Sequence, residues 1–132
     1  MAKIDVMRVE RGINELLFHP QIQEWAGVRA VEQVALFSHT RPDGRVYSTV
    51  GDGLTFENLM FISGLSSYEL NDTSALAQRI VNNWYNSPTG HREAMLSASS
   101  NLAAVSTYVR NGTVYIVHLF SDRTMFFMDF LI

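Results

Sequence analysis

The hydrophobic period of this chain changes near residue 102, and that change limits the folds open to it. Upstream, apolar residues recur every three or four positions, which is the spacing of helices that bury one face. Downstream, residues 102–109 and 113–120 form two β-rich runs, and Asn111-Gly112 between them is the strongest short signal for a hairpin. Helices first and a hairpin late predict an α+β protein, with helices on both faces of a small antiparallel sheet.

Local patterns predict three longer helices and one short one. The apolar spacing predicts helices over residues 4–17, with Gly12 as a weak point, over residues 22–37, and from a cap at residues 71–73 to just before Pro88. Ser87 is interpreted as the N-cap of a short helix that continues through residue 96. The glycine-containing residues 46–54 predict an irregular extended segment that leads to Glu57. On the second helix, Arg29 and Glu32 stand three apart and are interpreted as a surface pair.

Length, composition and charge restrict the class of protein. A chain of 132 residues is the size of one ordinary domain, so we expect a single domain over residues 1–132. A hydrophobic content of 47% with 17% charged residues predicts a packed globular protein. The net charge of −3 comes from scattered residues, so nucleic acid is not an expected partner. No run reaches the roughly 20 apolar residues of a membrane helix, so no transmembrane segment is expected.

The chain contains no cysteine, which excludes disulfides and thiolate chemistry. The closely spaced charges of residues 1–8 do not fit the apolar run of a signal peptide. The sequence therefore predicts either an exported protein whose signal has been removed or a protein that works in the cytoplasm.

Three short stretches place chemically capable side chains beside turn or capping residues. His39 lies within residues 37–44, Glu57 within residues 56–59, and His91 within residues 84–92. Imidazole and carboxylate groups are ordinary ligands of zinc and other divalent cations. These three residues are therefore the candidate site and the candidate ligands of such a cation. The alternative for Glu57 is that it caps nearby backbone N–H groups.

In their order along the chain, these stretches resemble the signature of the CAP superfamily, the cysteine-rich secretory, antigen 5 and pathogenesis-related proteins, in its cysteine-free bacterial form. The resemblance covers roughly residues 13–121 and implies the three-layer α-β-α sandwich of the CAP or SCP-like domain. It also implies that His39, Glu57 and His91 line one central cleft, and that zinc or another divalent cation binds the histidine pair. The family pattern has a second acid three residues after the helix tryptophan, where this chain has Ser87.

The function implied by this resemblance is that of a secreted or cell-surface binding module for a small-molecule, lipid or peptide ligand. Arg41 and Arg92, next to the two histidines, are further candidate ligand contacts. One alternative is a peptidase-like hydrolase, dependent on metal or histidine, with His39, Glu57 and His91 as catalytic residues. A second alternative is a structural or interaction domain whose site is vestigial.

The apolar residues 125–132 bear on this second alternative, because so much hydrophobic surface has to be covered. We expect this segment to pack on the domain or on a second copy of the chain, which would make a homo-oligomer.

Overall fold

A four-stranded mixed sheet separates the helices of this protein into two layers. The computed structural model describes residues 1–123. Its strands are β1 (Leu17–Phe18), β2 (Leu54–Ser63), β3 (Leu102–Arg110) and β4 (Thr113–Ser121), in the order β1-β3-β4-β2. The short β1 runs parallel to β3, whereas the other neighbouring pairs are antiparallel. The expectation of a purely antiparallel sheet was therefore wrong at one edge.

The helices lie on both faces of this sheet. They are α1 (Ala2–Glu10), α2 (Pro20–Ala35), α3 (Ser67–Asn71), α4 (Thr73–Asn86) and α5 (His91–Leu96), and a 3₁₀ helix covers Tyr47–Val50. One core cluster joins α2 to one face of the sheet, and the other joins α1, α4 and α5 to the opposite face. The side chains of β3 and β4 alternate between the two clusters, as the pleat requires. The predicted three-layer α-β-α architecture is confirmed.

Two local predictions agree closely with the structure. The predicted hairpin joins β3 and β4, and Asn111 and Gly112 both have positive φ angles of 51° and 77°. This conformation matches the two-residue turn that an Asn-Gly pair favours. The third predicted helix corresponds to α4, and the side chain of its N-cap Asp72 accepts a hydrogen bond from the Ala75 N–H.

Two other predictions were wrong. The first predicted helix ends at Glu10 and does not reach residue 17, because Gly12 has a φ of +71° and the chain then extends into β1. Strand β2 was missed, because its centre carries Glu57 and Asn58, which interrupt the apolar alternation. Both side chains are buried, so these two polar residues bond to groups inside the protein and do not form a solvent-exposed face of the strand.

The predicted packing of residues 125–132 lies outside the described residues. Within residues 1–123, no helix combines the length and apolar character needed to span a membrane.

Candidate functional site

A cavity of about 280 Å³ lies where edge strand β2 passes between the two helical layers. His39 reaches it from the loop after α2, and His91 reaches it as the first residue of α5. Glu57 comes from β2 itself, so the prediction that an irregular segment delivers this residue was wrong. The structure thus places the three candidate residues on one cavity. Its full lining is His39, Tyr47, Phe56, Glu57, Asn58, Thr89, Gly90, His91 and Ala94.

Glu57 is held by an arginine from α2. The Nε atom of Arg29 donates to Oε2 of Glu57 at 2.7 Å, and Nη2 donates to Oε1 at 3.0 Å. The His39 Nδ1 atom lies 2.9 Å from the same Oε1. Because a guanidinium has only donors, both carboxylate oxygens act as acceptors, and the Nδ1 atom of His39 is therefore the donor. Glu57 therefore fixes the orientation of His39, and within residues 1–123 its side chain caps no backbone N–H group.

The loop that carries His39 is also anchored to α2. The Ser38 carbonyl accepts a hydrogen bond from Arg29 Nη2 at 2.6 Å, and the Ser38 N–H donates to the Gln33 side chain at 3.0 Å. On the other side, the Tyr47 N–H donates to the His39 carbonyl at 2.9 Å. His39 therefore has a fixed main chain although its side chain is 55% exposed.

His91 has a different set of supports. Its Nδ1 atom lies 2.8 Å from the Ser87 hydroxyl and 3.3 Å from the Thr89 hydroxyl. Its ring stacks against Trp84 with centroids 6.5 Å apart, and its carbonyl accepts from the Asn58 side chain. Burial, followed by the neighbouring charge of His39, lowers the pKa of His91, so the neutral ring is favoured near pH 7.

The interpretation of Ser87 as an N-cap was wrong. Gly90 is the N-cap of α5 and has a φ of +95°, whereas Ser87 is the C-cap of α4. The chain turns at Gly90, where φ is positive, and α5 begins at His91. A Ser87 N-cap would have placed the first helical residue at Pro88, three residues earlier. The Ser87 hydroxyl is therefore available to contact the imidazole of His91.

The two candidate arginines make other contacts. Arg41 forms an ion pair with Glu32, with Nη2 and Oε2 2.9 Å apart. The Nε atom of Arg92 donates to the Tyr85 carbonyl at 2.6 Å, and its guanidinium lies 4.3 Å from the centre of the Tyr85 ring. Neither arginine belongs to the cavity lining within the described residues. The geometry gives no support to a ligand-binding role for Arg41 or Arg92.

Three further residues of the site, Arg29, Tyr47 and Asn58, were not predicted from the sequence. Arg29 was interpreted as a surface residue, yet it is fully buried. A signal for this was present, because Arg29 follows the buried Ile22 and Ala26 at helical spacing. A charged residue on the apolar face of a helix requires a buried partner of opposite charge. Tyr47 and Asn58 had no comparable signal.

The geometry does not give a closed metal centre. Among residues 1–123, no group of three or more His, Asp or Glu side chains is arranged to hold a metal ion. Both oxygens of Glu57 are already engaged by Arg29 and His39. A metal site with Glu57 as a third ligand is therefore not supported, and the histidine pair alone remains a prediction.

Comparisons with known proteins identify the fold. No protein-family model and no curated protein matches the sequence. Among solved structures, an outer surface protein from Borrelia burgdorferi has a TM-score of 0.69 and 19% identity, covering 93% of this chain and 89% of that one. An extracellular SCP-domain protein from Bacillus anthracis has a TM-score of 0.60 and 17% identity, covering 91% and 38%. A structure described as NaASP2 with Zn²⁺ has a TM-score of 0.59 and 16% identity, covering 82% and 60%.

These similarities define the protein as one with the SCP or CAP fold. The resemblance deduced from the three sequence stretches is confirmed at the level of the fold. At these identities, the similarity does not transfer a ligand or an activity, which have to be argued from the site.

Proposed function

We propose that this protein is a CAP-type binding module whose cavity receives a small or extended ligand, with a divalent cation at the histidine pair. The observation that carries the proposal is that His39 and His91 line one cavity and that each has its Nδ1 atom engaged by a neighbour. Within residues 1–123, neither Nε2 atom has a hydrogen-bond partner. These two nitrogens are therefore the atoms that remain for a ligand or a metal ion.

The donor set fits an open metal site with two protein ligands. A histidine ligand normally has its other ring nitrogen bonded to a supporting group that fixes the tautomer. Glu57 supplies that group for His39, and Ser87 supplies it for His91. Such an ion would act as a Lewis acid toward a ligand oxygen. Zinc is the first ion to test, because one structure with this fold is described with Zn²⁺.

The rest of the lining favours a ligand with both polar and apolar parts. Tyr47 and Thr89 offer hydroxyl groups, whereas Phe56 and Ala94 offer apolar surface. The volume of about 280 Å³ lies just below the usual range for small-molecule sites, roughly 300–1,000 Å³. The cavity therefore suits a small molecule, or one segment of a longer lipid or peptide.

A peptidase-like hydrolase is the second candidate, favoured by the Arg29–Glu57–His39 arrangement. A base oriented by a carboxylate is a common device for activating water. In this version His39 is the base and Glu57 orients it, because both Glu57 oxygens are engaged. The hydrolase ranks second because Ser87 stands where the family resemblance places a second acid, and the Ser87 hydroxyl contacts His91.

The test is a thermal-shift screen of zinc, small molecules, lipids and short peptides, followed by NMR mapping of each hit. The proposal expects hits that shift the amides of the cavity lining and that lose affinity in a His39→Ala, His91→Ala double variant. Arg92→Ala is a control that changes a neighbouring residue outside the lining. Hits that map elsewhere and keep their affinity in the double variant would contradict the proposal.

We also propose that the protein acts outside the cytoplasm. Two structures with the same fold are described as an outer surface protein and an extracellular protein. Fractionation of the native host with an antibody against this domain tests the proposal. Recovery only with cytoplasmic markers would contradict it.

A further inference from the structure

We infer that Arg29 is the positioning residue of this site, because it holds both Glu57 oxygens as acceptors and so presents His39 with an unprotonated Nε2 atom. The inference rests on the proposed function, in which that atom meets the ligand. Arg29 itself does not belong to the cavity lining among the described residues.

Arg29 is buried together with its acidic partner. Its side chain has no solvent exposure, and neither has the Glu57 side chain that it pairs with. The two parallel hydrogen bonds between them have the bidentate geometry that gives an arginine–carboxylate pair both strength and direction. Because both carboxylate oxygens accept hydrogen bonds from Arg29, Glu57 can only accept a hydrogen bond from His39.

Arg29 also supports Ser38, the residue before His39. Its Nη2 atom donates to the Ser38 carbonyl as well as to Glu57, and its Nη1 atom donates to Glu32 at 2.8 Å. One guanidinium therefore sets both the main chain next to His39 and the hydrogen-bond partner of its ring.

The removal of Arg29 has a defined consequence for the imidazole. Without Arg29, Glu57 loses the two donors that hold its oxygens as acceptors and the charge that compensates its burial. A carboxyl group that donates to Nδ1 leaves the ring proton on Nε2. The Nε2 lone pair is then not available to a ligand.

The experiment is ¹⁵N NMR of the His39 ring at pH 8, above the ordinary histidine pKa of about 6.5. We expect an unprotonated Nε2 in the parent protein and in Arg29→Lys, which keeps the charge. We expect a protonated Nε2 in Arg29→Met. If Arg29→Met does not fold, Arg29→Gln provides the same loss of charge with hydrogen-bond donors retained. Arg8→Met is the control, because Arg8 is equally buried but lies on the other side of the sheet.

The outcomes separate this inference from the proposed function. An Nε2 atom that is protonated in the parent protein, or that stays unprotonated in a folded Arg29→Met or Arg29→Gln variant, would overturn the role of Arg29. Zinc alone provides a second measurement, with affinity expected to fall about 10- to 100-fold in Arg29→Met. If the parent protein does not bind zinc, the metal proposal fails, and the tautomer measurement still decides the role of Arg29.

Discussion

The His39 Nδ1 atom lies 2.9 Å from Oε1 of Glu57, and the two side chains differ in exposure. The imidazole is 55% exposed, whereas the carboxylate is fully buried. A ligand in the cavity therefore meets the imidazole ring, whereas Glu57 belongs to the lining without exposing its carboxylate. Substitutions of Glu57 should act on stability and on the orientation of His39, while substitutions of His39 should act on binding itself.

Glu57→Gln should lower the free energy of unfolding by about 3 kcal/mol. Loss of one partner from a buried ion pair typically costs about 3–5 kcal/mol, and the lower end applies because Arg29 keeps its ion pair with Glu32. Urea unfolding at pH 7 measures this change. The matched control is Glu24→Gln on the exposed face of α2, which should change stability by less than about 0.5 kcal/mol. Equal effects of the two substitutions would show that Glu57 is not a buried charge partner.

Zinc binding should be weak and should depend on both histidines. Calorimetry of the parent protein should give a binding signal that disappears in the His39→Ala, His91→Ala double variant. Ser87→Ala should weaken binding by about 10-fold, because it removes the hydroxyl beside His91 Nδ1. His19→Asn is the control, since asparagine preserves the N-cap of α2 and His19 lies outside the cavity lining. A signal that persists in the double variant would place the metal elsewhere.

His118 should make the protein sensitive to acid. It is fully buried on β4, neither ring nitrogen has a hydrogen-bond partner among the described residues, and its ring stacks on Trp84. Burial, with smaller contributions from the N-terminal amine and Arg8, lowers the pKa of His118 from 6.5 to about 3. The folded protein therefore keeps this ring neutral, whereas the unfolded chain takes up a proton as the pH falls below 6.5.

The resulting loss of stability is confined to the window between pH 6.5 and about pH 3. Within it, each pH unit costs at most about 1.4 kcal/mol, so the parent protein should lose about 2 kcal/mol between pH 7 and pH 5 through this residue. His118→Leu should remove that part of the decline, as measured by urea unfolding at both pH values. Parallel pH profiles for the two proteins would show that His118 is not the source.

Arg8→Met should lower the free energy of unfolding by about 3 kcal/mol or more. The buried Arg8 guanidinium donates to the carbonyls of Met95, Ser97 and Ser100, and an unsatisfied buried acceptor costs about 1–3 kcal/mol. Chemical denaturation measures the loss. Arg45→Met removes an exposed ion pair with Asp43 and should change stability by less than about 0.5 kcal/mol. A loss of stability no larger in Arg8→Met than in this control would contradict the prediction.

Peptidase activity should be absent or very low. His39 is placed where it could act as a base. Ser87, however, stands at the position where the family pattern has a second acid. Digestion of a broad peptide library by the parent protein and by His39→Gln provides the measurement. Cleavage by the parent that falls at least about 100-fold in the variant would promote the hydrolase to first place.

Local sequence patterns determined the elements whose conformation depends on neighbouring residues. The Asn111-Gly112 turn tolerates two positive φ angles, so the hairpin was predictable from two residues and their flanks. The α4 helix was predictable from its cap at Asp72 and its regular apolar pairs. The three stretches that contain His39, Glu57 and His91 were sufficient for a resemblance whose fold the comparisons confirm.

Only the tertiary structure decided how the site is assembled. Arg29 and Glu57 are 28 positions apart, and no local pattern reveals that a helix and an edge strand bring them within hydrogen-bonding distance. The parallel pairing of β1 and the contact between Ser87 and His91 depend in the same way on the surrounding chain. Turn and helix propensities act over a few residues, whereas buried charges are paired only after the layers pack. The sequence by itself therefore determined the elements and the candidate residues, and the packing of the layers decided which partner each of those residues has.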